Sequence, residues 1–172
     1  MKDHVVKLFA LITLLLSPLT SVFAWTPLGH MVIASIAYEQ LRPEVKEKVD
    51  NLIGYMHQQY PEINSLAWAA AWPDLIRGQK IETYTHWHYT DVSFSTDGSA
   101  LKNLKDTDNA VYELNNLMIV TKNTKANPYE RTRFLAFLVH IVGDLHQPLH
   151  TVSNITANLP EGDRGGNLTT VR

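Results

Sequence analysis

The feature that most constrains the fold is the stretch from Phe137 to His150, in which three histidines and one aspartate interrupt an apolar segment. Positions four residues apart lie on one face of an α-helix, so His140 and Asp144 direct their side chains toward a common point. The apolar neighbours place that point in the interior, where an uncompensated charge is costly. Because a bound metal ion removes this cost, we interpret the segment as the ligand-bearing helix of a zinc site.

The other two histidines of this stretch have different surroundings. Pro148 turns the chain out of the helix, so His150 can serve a neighbouring position. His146 lies two residues beyond Asp144 and points to another helix face, where a supporting or surface role is expected. One alternative stays open at this point: His140 can be a core histidine that hydrogen-bonds the aspartate of its own helix.

The N-terminus has the pattern of a secretory signal peptide. Two lysines, Lys2 and Lys7, precede an apolar run over residues 8–16, and residues 22–24 (Val-Phe-Ala) form a small-residue cleavage site. The run is too short for a comfortable transmembrane helix, and an uncleaved anchor is the alternative. We therefore expect removal of residues 1–24, one helical domain over residues 25–172, a secreted or periplasmic location, and no membrane contact after cleavage.

Composition and charge narrow the class of protein. The 172 residues are 45% hydrophobic and 19% charged, which is enough apolar content for one domain with a core. Loss of Lys2, Asp3 and Lys7 with the leader changes the net charge from -2 to -3, so the protein lacks the overall positive charge of nucleic-acid binders. The chain contains no cysteine, which excludes disulfides and thiolate zinc sites.

The periodic segments after the leader predict helices. Apolar residues recur at helical spacing, and prolines stand where helices begin or end. We find no pair of segments with the sustained alternation of paired strands, and residues 78–107 look irregular. The fold class is therefore expected to be all-α. Helices are predicted over residues 31–41, from Pro43 onward, over residues 65–72 with a stop near Pro73, around residues 110–118, and from an Asn127 cap through His140.

Two further clusters of polar residues lie between these helices. His86, His88 and Asp91 fall in a segment that looks extended, where alternating side chains share one face. We therefore expect the two histidines to point in the same direction. Asp74 stands at a helix end beside Arg77. Each cluster alone is more typical of a protein surface than of a metal site.

Trp25 and His30 open the mature chain in a Trp-x-x-x-Gly-His motif, and cleavage would free the Trp25 amine as a nitrogen ligand. Together with the clusters above, this motif resembles the trinuclear-zinc, single-strand-specific nuclease family of the S-one/P-one type. The order of the motifs carries the resemblance, which covers the N-terminal part of the family. The matching segments are Trp25 with His30, Trp72-Pro73-Asp74, His88-Tyr89-Thr90-Asp91, Phe137 to Asp144, Gln147 to His150, and Gly165-Gly166-Asn167.

The resemblance implies three zinc ions and a multi-helix fold like that of zinc-dependent phospholipase C. Each implied zinc has its own ligand set, and one aspartate bridges two of them. The implied ligands are Asp74, His88, His140 and Asp144 for the first zinc; the Trp25 amine and carbonyl, His30 and the bridging Asp144 for the second; and His150 with a later His-x-x-x-Asp pair for the third.

The sequence departs from the family at the third zinc. No histidine follows His150 in the 172 residues, so the later pair of ligands is missing. A zinc site normally has about three protein ligands or more. We therefore expect at most two well-formed zinc sites and a C-terminally truncated chain with weak or no activity in this form.

The resemblance also implies the chemistry. Arg77 matches a cation that stabilises the phosphoryl group, next to the catalytic metal ligand Asp74. Tyr89 and Asp91 match residues that stack on a base and hydrogen-bond its edge. The implied protein is a secreted zinc-dependent endonuclease and 3′-nucleotidase that cleaves single-stranded DNA and RNA to 5′-phosphate products. Its substrates would be nucleic acid or nucleotides, and no stable protein partner is evident.

Two other functions stay open at this point. A zinc-dependent phospholipase C would share the fold and the terminal tryptophan ligand, so the fold alone does not exclude it. The Trp72-Pro73-Asp74 and Gly165-Gly166-Asn167 motifs match the nuclease side better. The third possibility is a non-catalytic zinc-binding remnant, which the missing third site motivates.

Overall fold

The computed structural model describes residues 25–104 and 107–169, so the predicted leader lies outside the described part. This part of the chain is mostly helical, and the predicted all-α class is confirmed. The described residues also form two single-turn 3-10 helices, Thr85–His88 and Pro148–His150, and two three-residue strands, β1 (Val92–Phe94) and β2 (Val152–Asn154). The α-helices are α1 (Pro27–Glu39), α2 (Pro43–Gln59), α3 (Leu66–Gly78), α4 (Ala110–Lys122) and α5 (Pro128–Asp144).

Short polar side chains and prolines determine where the helices begin. Asn127 accepts a hydrogen bond from the backbone N–H of Tyr129, at 2.9 Å, immediately before α5. Ser65 caps α3 in the same way, and Asn109 caps α4. Proline occupies the first helical position of α1, α2 and α5, where its missing N–H costs no hydrogen bond. Local sequence therefore determines the start of each helix.

The predicted stop of α3 near Pro73 is wrong, because the helix continues to Gly78. Proline lacks the N–H that would donate to the carbonyl of Ala69 one turn earlier. Pro73 is nevertheless fully buried, and the packing of the surrounding core retains the helix through this break. As a result, Asp74 and Arg77 lie in the last turn of a packed helix and not on a loop.

Helix α5 lies at the centre of the molecule and packs against the other four helices. Small residues make the close approach of these helices possible: Ala34 in α1, Ala69 and Ala70 in α3, and Ala136 in α5 are completely buried. Phe137 of α5 contacts three aromatic rings from two neighbouring segments, at centroid distances of 4.9–5.8 Å. The polar end of α5 is thereby held beside α1 and α3.

The two strands form a parallel pair that sequence periodicity did not indicate. Val92 pairs with Val152, and Phe94 pairs with Asn154. The pairing begins at the backbone N–H of Thr90, which donates to the carbonyl of His150 at 2.8 Å. The two 3-10 helices, each of which ends in a histidine, are thus joined side by side. Within the described residues, no helix is long and apolar enough to cross a membrane.

Candidate metal centre

The last two turns of α5 carry the centre of the site. His140 and Asp144 are 0% and 1% exposed, and His140 Nε2 lies 3.1 Å from Asp144 Oδ2. The fold brings His88, from the first 3-10 helix, to the same oxygen, with its Nδ1 at 3.3 Å. The predicted convergence of the i and i+4 side chains is therefore present, and a histidine far away in the sequence joins it.

The second oxygen of Asp144 faces a different pair of histidines. His30 Nε2, from α1, lies 3.3 Å from Asp144 Oδ1, and His150 Nε2 lies 3.5 Å from the same atom. The rings of His30 and His140 stack, with their centroids 3.7 Å apart. One carboxylate thus stands between two groups of imidazoles, as a bridging ligand would.

Asp74 completes the cluster from the end of α3. Its Oδ1 lies 3.8 Å from both His88 Nδ1 and His140 Nε2, and its Oδ2 lies 3.8 Å from His30 Nε2. Two sets of donors are close enough to share an ion: His30, His140 and Asp144, and Asp74, His88 and His140. Ligands about 2.0–2.2 Å from a tetrahedral zinc are themselves about 3.3–3.6 Å apart. The measured separations of 2.9–3.8 Å are close to that spacing.

Three buried polar atoms of this cluster have no hydrogen-bond partner: both carboxylate oxygens of Asp144 and the Nδ1 of His30. Buried polar groups are almost always satisfied, and an unpaired buried charge is more costly still. A divalent cation between the imidazoles and Asp144 would satisfy both oxygens at once. The donor set of nitrogen and oxygen atoms, without sulfur, fits zinc.

The orientation of His140 also suits metal binding. Its Nδ1 donates a hydrogen bond to the carbonyl of Ala70, at 2.7 Å, in the turn of α3 where Pro73 interrupts the helix. A proton on Nδ1 leaves the lone pair of Nε2 directed at Asp144 and His88. A backbone carbonyl that accepts a hydrogen bond from the other ring nitrogen in this way fixes the tautomer of metal-ligating histidines.

The electrostatics of the cluster favour neutral forms of His88 and His150 beside an ionised aspartate. Burial lowers the pKa of His88 and the pKa of His150 by disfavouring their charged forms. Burial also opposes the charged form of His140, but the carboxylates of Asp144 and Asp74 outweigh it and raise its pKa. Burial alone would raise the pKa of Asp144, yet the close imidazoles hold it well below its usual range. Asp144 is therefore an anion at neutral pH.

The expected common direction of His86 and His88 is wrong. The segment forms a 3-10 helix and not an extended strand, so the two side chains diverge. His88 is buried in the cluster, whereas His86 is exposed, with its Nδ1 3.9 Å from a carboxylate oxygen of Asp108. His146 is exposed as well and lies 2.6 Å from the carbonyl of Val142, in line with the surface role expected for it.

A cleft of about 660 Å³ opens beside the cluster. It contains the residues that the resemblance assigned to substrate: Arg77 at the end of α3, and Tyr89 and Asp91 after the first 3-10 helix. His150 lies in its wall and connects it to Asp144. Arg164, which the sequence analysis did not single out, also lines the cleft, and only the folded path of its loop reveals this.

Trp25 lies at the start of α1, one turn before His30, and is 40% exposed. Its ring covers Gly29, where an added Cβ would come within 2.8 Å of the indole. A side chain at position 29 would therefore displace Trp25. A second glycine, Gly143, makes similar room for His30, because a Cβ there would come 3.2 Å from the Nδ1 of that histidine.

The fold and the site together define a helical protein with a buried cluster of histidine and aspartate suited to divalent metals. A family model described as S1/P1 Nuclease matches residues 25–172. "Endonuclease 1" of Arabidopsis thaliana is 31% identical over 92% of this chain and 52% of its own length. "Nuclease S1" of Aspergillus oryzae is 28% identical over 91% of this chain and 52% of its own length.

The chain belongs to the S1/P1 nuclease family, and the resemblance seen in its motifs is confirmed. A third relative, "Endonuclease 4" of Arabidopsis thaliana, is 27% identical over 95% of this chain. The chain spans about half the length of the curated relatives that it matches.

Proposed function

We propose that this chain supplies the metal centre and the substrate cleft of a zinc-dependent phosphodiesterase that cuts single-stranded nucleic acid. The observation that carries the proposal is the buried Asp144 carboxylate, whose two oxygens face separate histidine groups and have no hydrogen-bond partner. The family membership supports the same reaction class. Secretion belongs to the proposal as well, because the signal-like leader precedes the described residues.

In this proposal, one zinc is held by Asp74, His88, His140 and Asp144. A second is held by His30, Asp144 and the main chain of Trp25 after leader removal. Zinc in such a site supplies a hydroxide nucleophile near neutral pH and offsets charge on the phosphoryl oxygens.

The Trp25 assignment predicts that a blocked N-terminus lowers the zinc content per chain. Equal zinc content in the blocked and the cleaved protein would contradict it.

The residues of the cleft have separate roles in the proposal. Arg77 neutralises charge that develops on the phosphoryl group, and its guanidinium can contact two oxygens at once. Tyr89 stacks on the base next to the scissile bond, and Asp91 accepts a hydrogen bond from the edge of that base. A duplex keeps its bases stacked inside, so a cleft that binds a base favours strands whose bases can turn out.

The test compares two histidine variants of the purified protein after removal of the metal and addition of zinc. We expect cleavage of a labelled single-stranded oligonucleotide to 5′-phosphate ends, with little cleavage of the matched duplex. His140→Ala should abolish the cleavage, and His57→Ala, which changes an exposed histidine of α2, should retain it.

Three outcomes would overturn the proposal. If His140→Ala behaves like His57→Ala, the cluster is not the reacting centre. Release of phosphocholine from lecithin, with nucleic acid left intact, would support the phospholipase alternative. Stoichiometric zinc binding without turnover of either substrate would support a non-catalytic zinc-binding protein.

A further inference from the structure

Arg164 has an unusual backbone conformation at the edge of the cleft. Its φ is +55°, in the left-handed region that residues other than glycine rarely adopt. Such a conformation costs on the order of 1 kcal/mol or more and persists only where the surroundings enforce it. Strain of this kind is concentrated at functional sites, so the role of this side chain needs an explanation.

The surroundings of Arg164 enforce the conformation through several hydrogen bonds. Its backbone N–H donates to the hydroxyl of Ser153 at 3.2 Å. Its carbonyl accepts from the side-chain amide of Asn167 at 2.7 Å. The preceding residue, Asp163, accepts from the backbone N–H of Asn154 at 2.9 Å. The backbone at residue 164 is thus tied to strand β2 on one side and to its own loop on the other.

The same loop packs directly against the turn that carries His150. An added Cβ at Gly165 would come within 2.0 Å of the carbonyl oxygen of Leu149, so the two backbones are in contact. This contact fixes the loop beside the metal cluster. The Arg164 side chain therefore lines the same cleft as Arg77 and His150.

The charge of Arg164 has no ion-pair partner among the residues that the structure describes. Within residues 25–104 and 107–169, no carboxylate lies within ion-pair distance of its guanidinium, and the same holds for Arg77. Glu161, the acid of the same loop, is paired with Lys102 instead. In the described part of the chain, two guanidinium groups from different segments thus line one cleft without an ion-pair partner.

We infer that Arg164 binds a second phosphate of the substrate strand, one that is not the scissile phosphate near Arg77. This inference rests on the proposed function. A planar guanidinium held on a fixed backbone suits bidentate binding of a phosphate. Two separate phosphate contacts select a strand with several phosphates over a single nucleotide. The overall acidic chain thereby gains local affinity for a polyanion.

The experiment measures binding of a short fluorescent oligothymidylate and of 3′-thymidine monophosphate in the presence of a chelator, at several salt concentrations. Arg164→Asn removes the charge and retains a residue that tolerates positive φ. We expect the affinity ratio of oligonucleotide to mononucleotide to fall about tenfold. The salt dependence of oligonucleotide binding should fall by about 0.7 in its logarithmic slope, the value for one single-strand phosphate contact.

Matched variants separate charge from folding. Arg164→Lys should retain the salt slope, because its charge remains. Lys125→Gln, which removes one exposed charge beyond α4, should leave the slope and the affinity ratio at wild-type values. An unchanged slope in Arg164→Asn, with normal oligonucleotide binding by the wild type, would overturn this inference alone. Failure of the wild type to bind or cut the oligonucleotide would overturn the proposed function as well.

Discussion

A single carboxylate organises the candidate centre at the scale of residues. Asp144 is 1% exposed, and four imidazole nitrogens lie between 3.1 and 3.5 Å from its two oxygens. Each histidine comes from a different element, so the aspartate is the one group that all of them share. Without a cation this arrangement carries a buried, unsatisfied anion. The affinity for metal should therefore depend strongly on the carboxylate at position 144.

The variant Asp144→Asn tests this dependence. The amide keeps the shape of the side chain but loses the negative charge and one acceptor oxygen. We expect zinc affinity to fall by about 100-fold or more, because even supporting residues of metal sites contribute 10–100-fold. Competition with a chromophoric zinc chelator measures the affinity. Asp50→Asn is the control, since Asp50 is an exposed acceptor for the Tyr38 hydroxyl. Similar zinc affinities for the two variants would contradict a bridging role.

Asp163 gives the protein a pH dependence that is independent of metal. Burial would raise its pKa, but the N–H groups of Asn154 and Gly166 and two hydroxyls lower it. A carboxyl group with a lower pKa in the folded state stabilises the protein above its unfolded pKa of about 3.9, and this stability is lost as the pH falls through the folded value.

We therefore expect the melting temperature of the chelator-treated protein to fall as the pH drops below about 4. Asp163→Asn should flatten this acid limb and lower stability near neutral pH. Differential scanning calorimetry across this range measures both effects. An acid limb of the same steepness in the variant would show that other carboxyl groups control the transition.

At the scale of elements, short connections hold the histidines in place. The 3-10 helix Pro148–His150 is flanked by β2 and by the loop of residues 162–169. Strand pairing fixes it on one side, through the bond between Thr90 N–H and the His150 carbonyl. Gly165 contacts it on the other side. The position of His150 thus depends on contacts with two short neighbouring segments and not on a place within an α-helix.

The contact at Gly165 predicts a large difference between two glycine variants. Both Gly165 (φ +62°) and Gly98 (φ +81°) adopt the left-handed region, but an added Cβ at Gly98 meets nothing within 4 Å. Gly98→Ala should cost only the backbone strain, about 1 kcal/mol. Gly165→Ala adds a backbone clash, so we expect a loss of unfolding free energy at least about 2 kcal/mol larger. Denaturant unfolding of both variants checks this, and equal losses would exclude a tight contact with Leu149.

The comparison of sequence and structure shows which information is local. The spacing of His140 and Asp144 and the Asn127 cap are local signals, and the helix that they predicted is α5. The predicted end of α3 was wrong. The rule that proline interrupts a helix uses local sequence only, whereas the burial of Pro73 depends on the whole core. The pairing of β1 with β2 joins residues sixty positions apart over three residues each, which is too short for a periodic signal.

The residues of the candidate site also divide into those that local sequence indicated and those that it did not. Spacing alone indicated the pair on α5, while the resemblance to a family brought in Asp74, His88 and His30. The divergence of His86 from His88 was missed, because alternation indicates a strand and a 3-10 turn does not alternate. The role that we infer for Arg164 depends on a backbone angle, which a single sequence does not reveal.

At the scale of the whole molecule, the metal cluster joins parts of the chain that are far apart in the sequence. Its side chains come from α1, α3, α5 and the two 3-10 helices. An ion bound between them acts as a cross-link that exists only in the folded state. The stability of the protein should therefore depend on the concentration of free zinc.

Removal of zinc predicts a measurable loss of thermal stability. At a free zinc concentration about 100 times the dissociation constant, binding stabilises the folded state by about 2.7 kcal/mol. For a chain of this length, that corresponds to a melting temperature about 5–10 °C higher. Scanning calorimetry with and without a chelator measures the shift. His140→Ala should abolish the shift and His57→Ala should retain it; a shift that survives in His140→Ala would place the zinc elsewhere.

The separation of the ligands along the chain has a consequence for biosynthesis. His30 is made first, Asp74 and His88 follow, and Asp144 is made more than one hundred residues after His30. A growing chain therefore offers no complete metal site until α5 has left the ribosome. A chain exported through a membrane pore before it folds would cross without its zinc, and it would acquire the metal only in the compartment where all five helices have assembled.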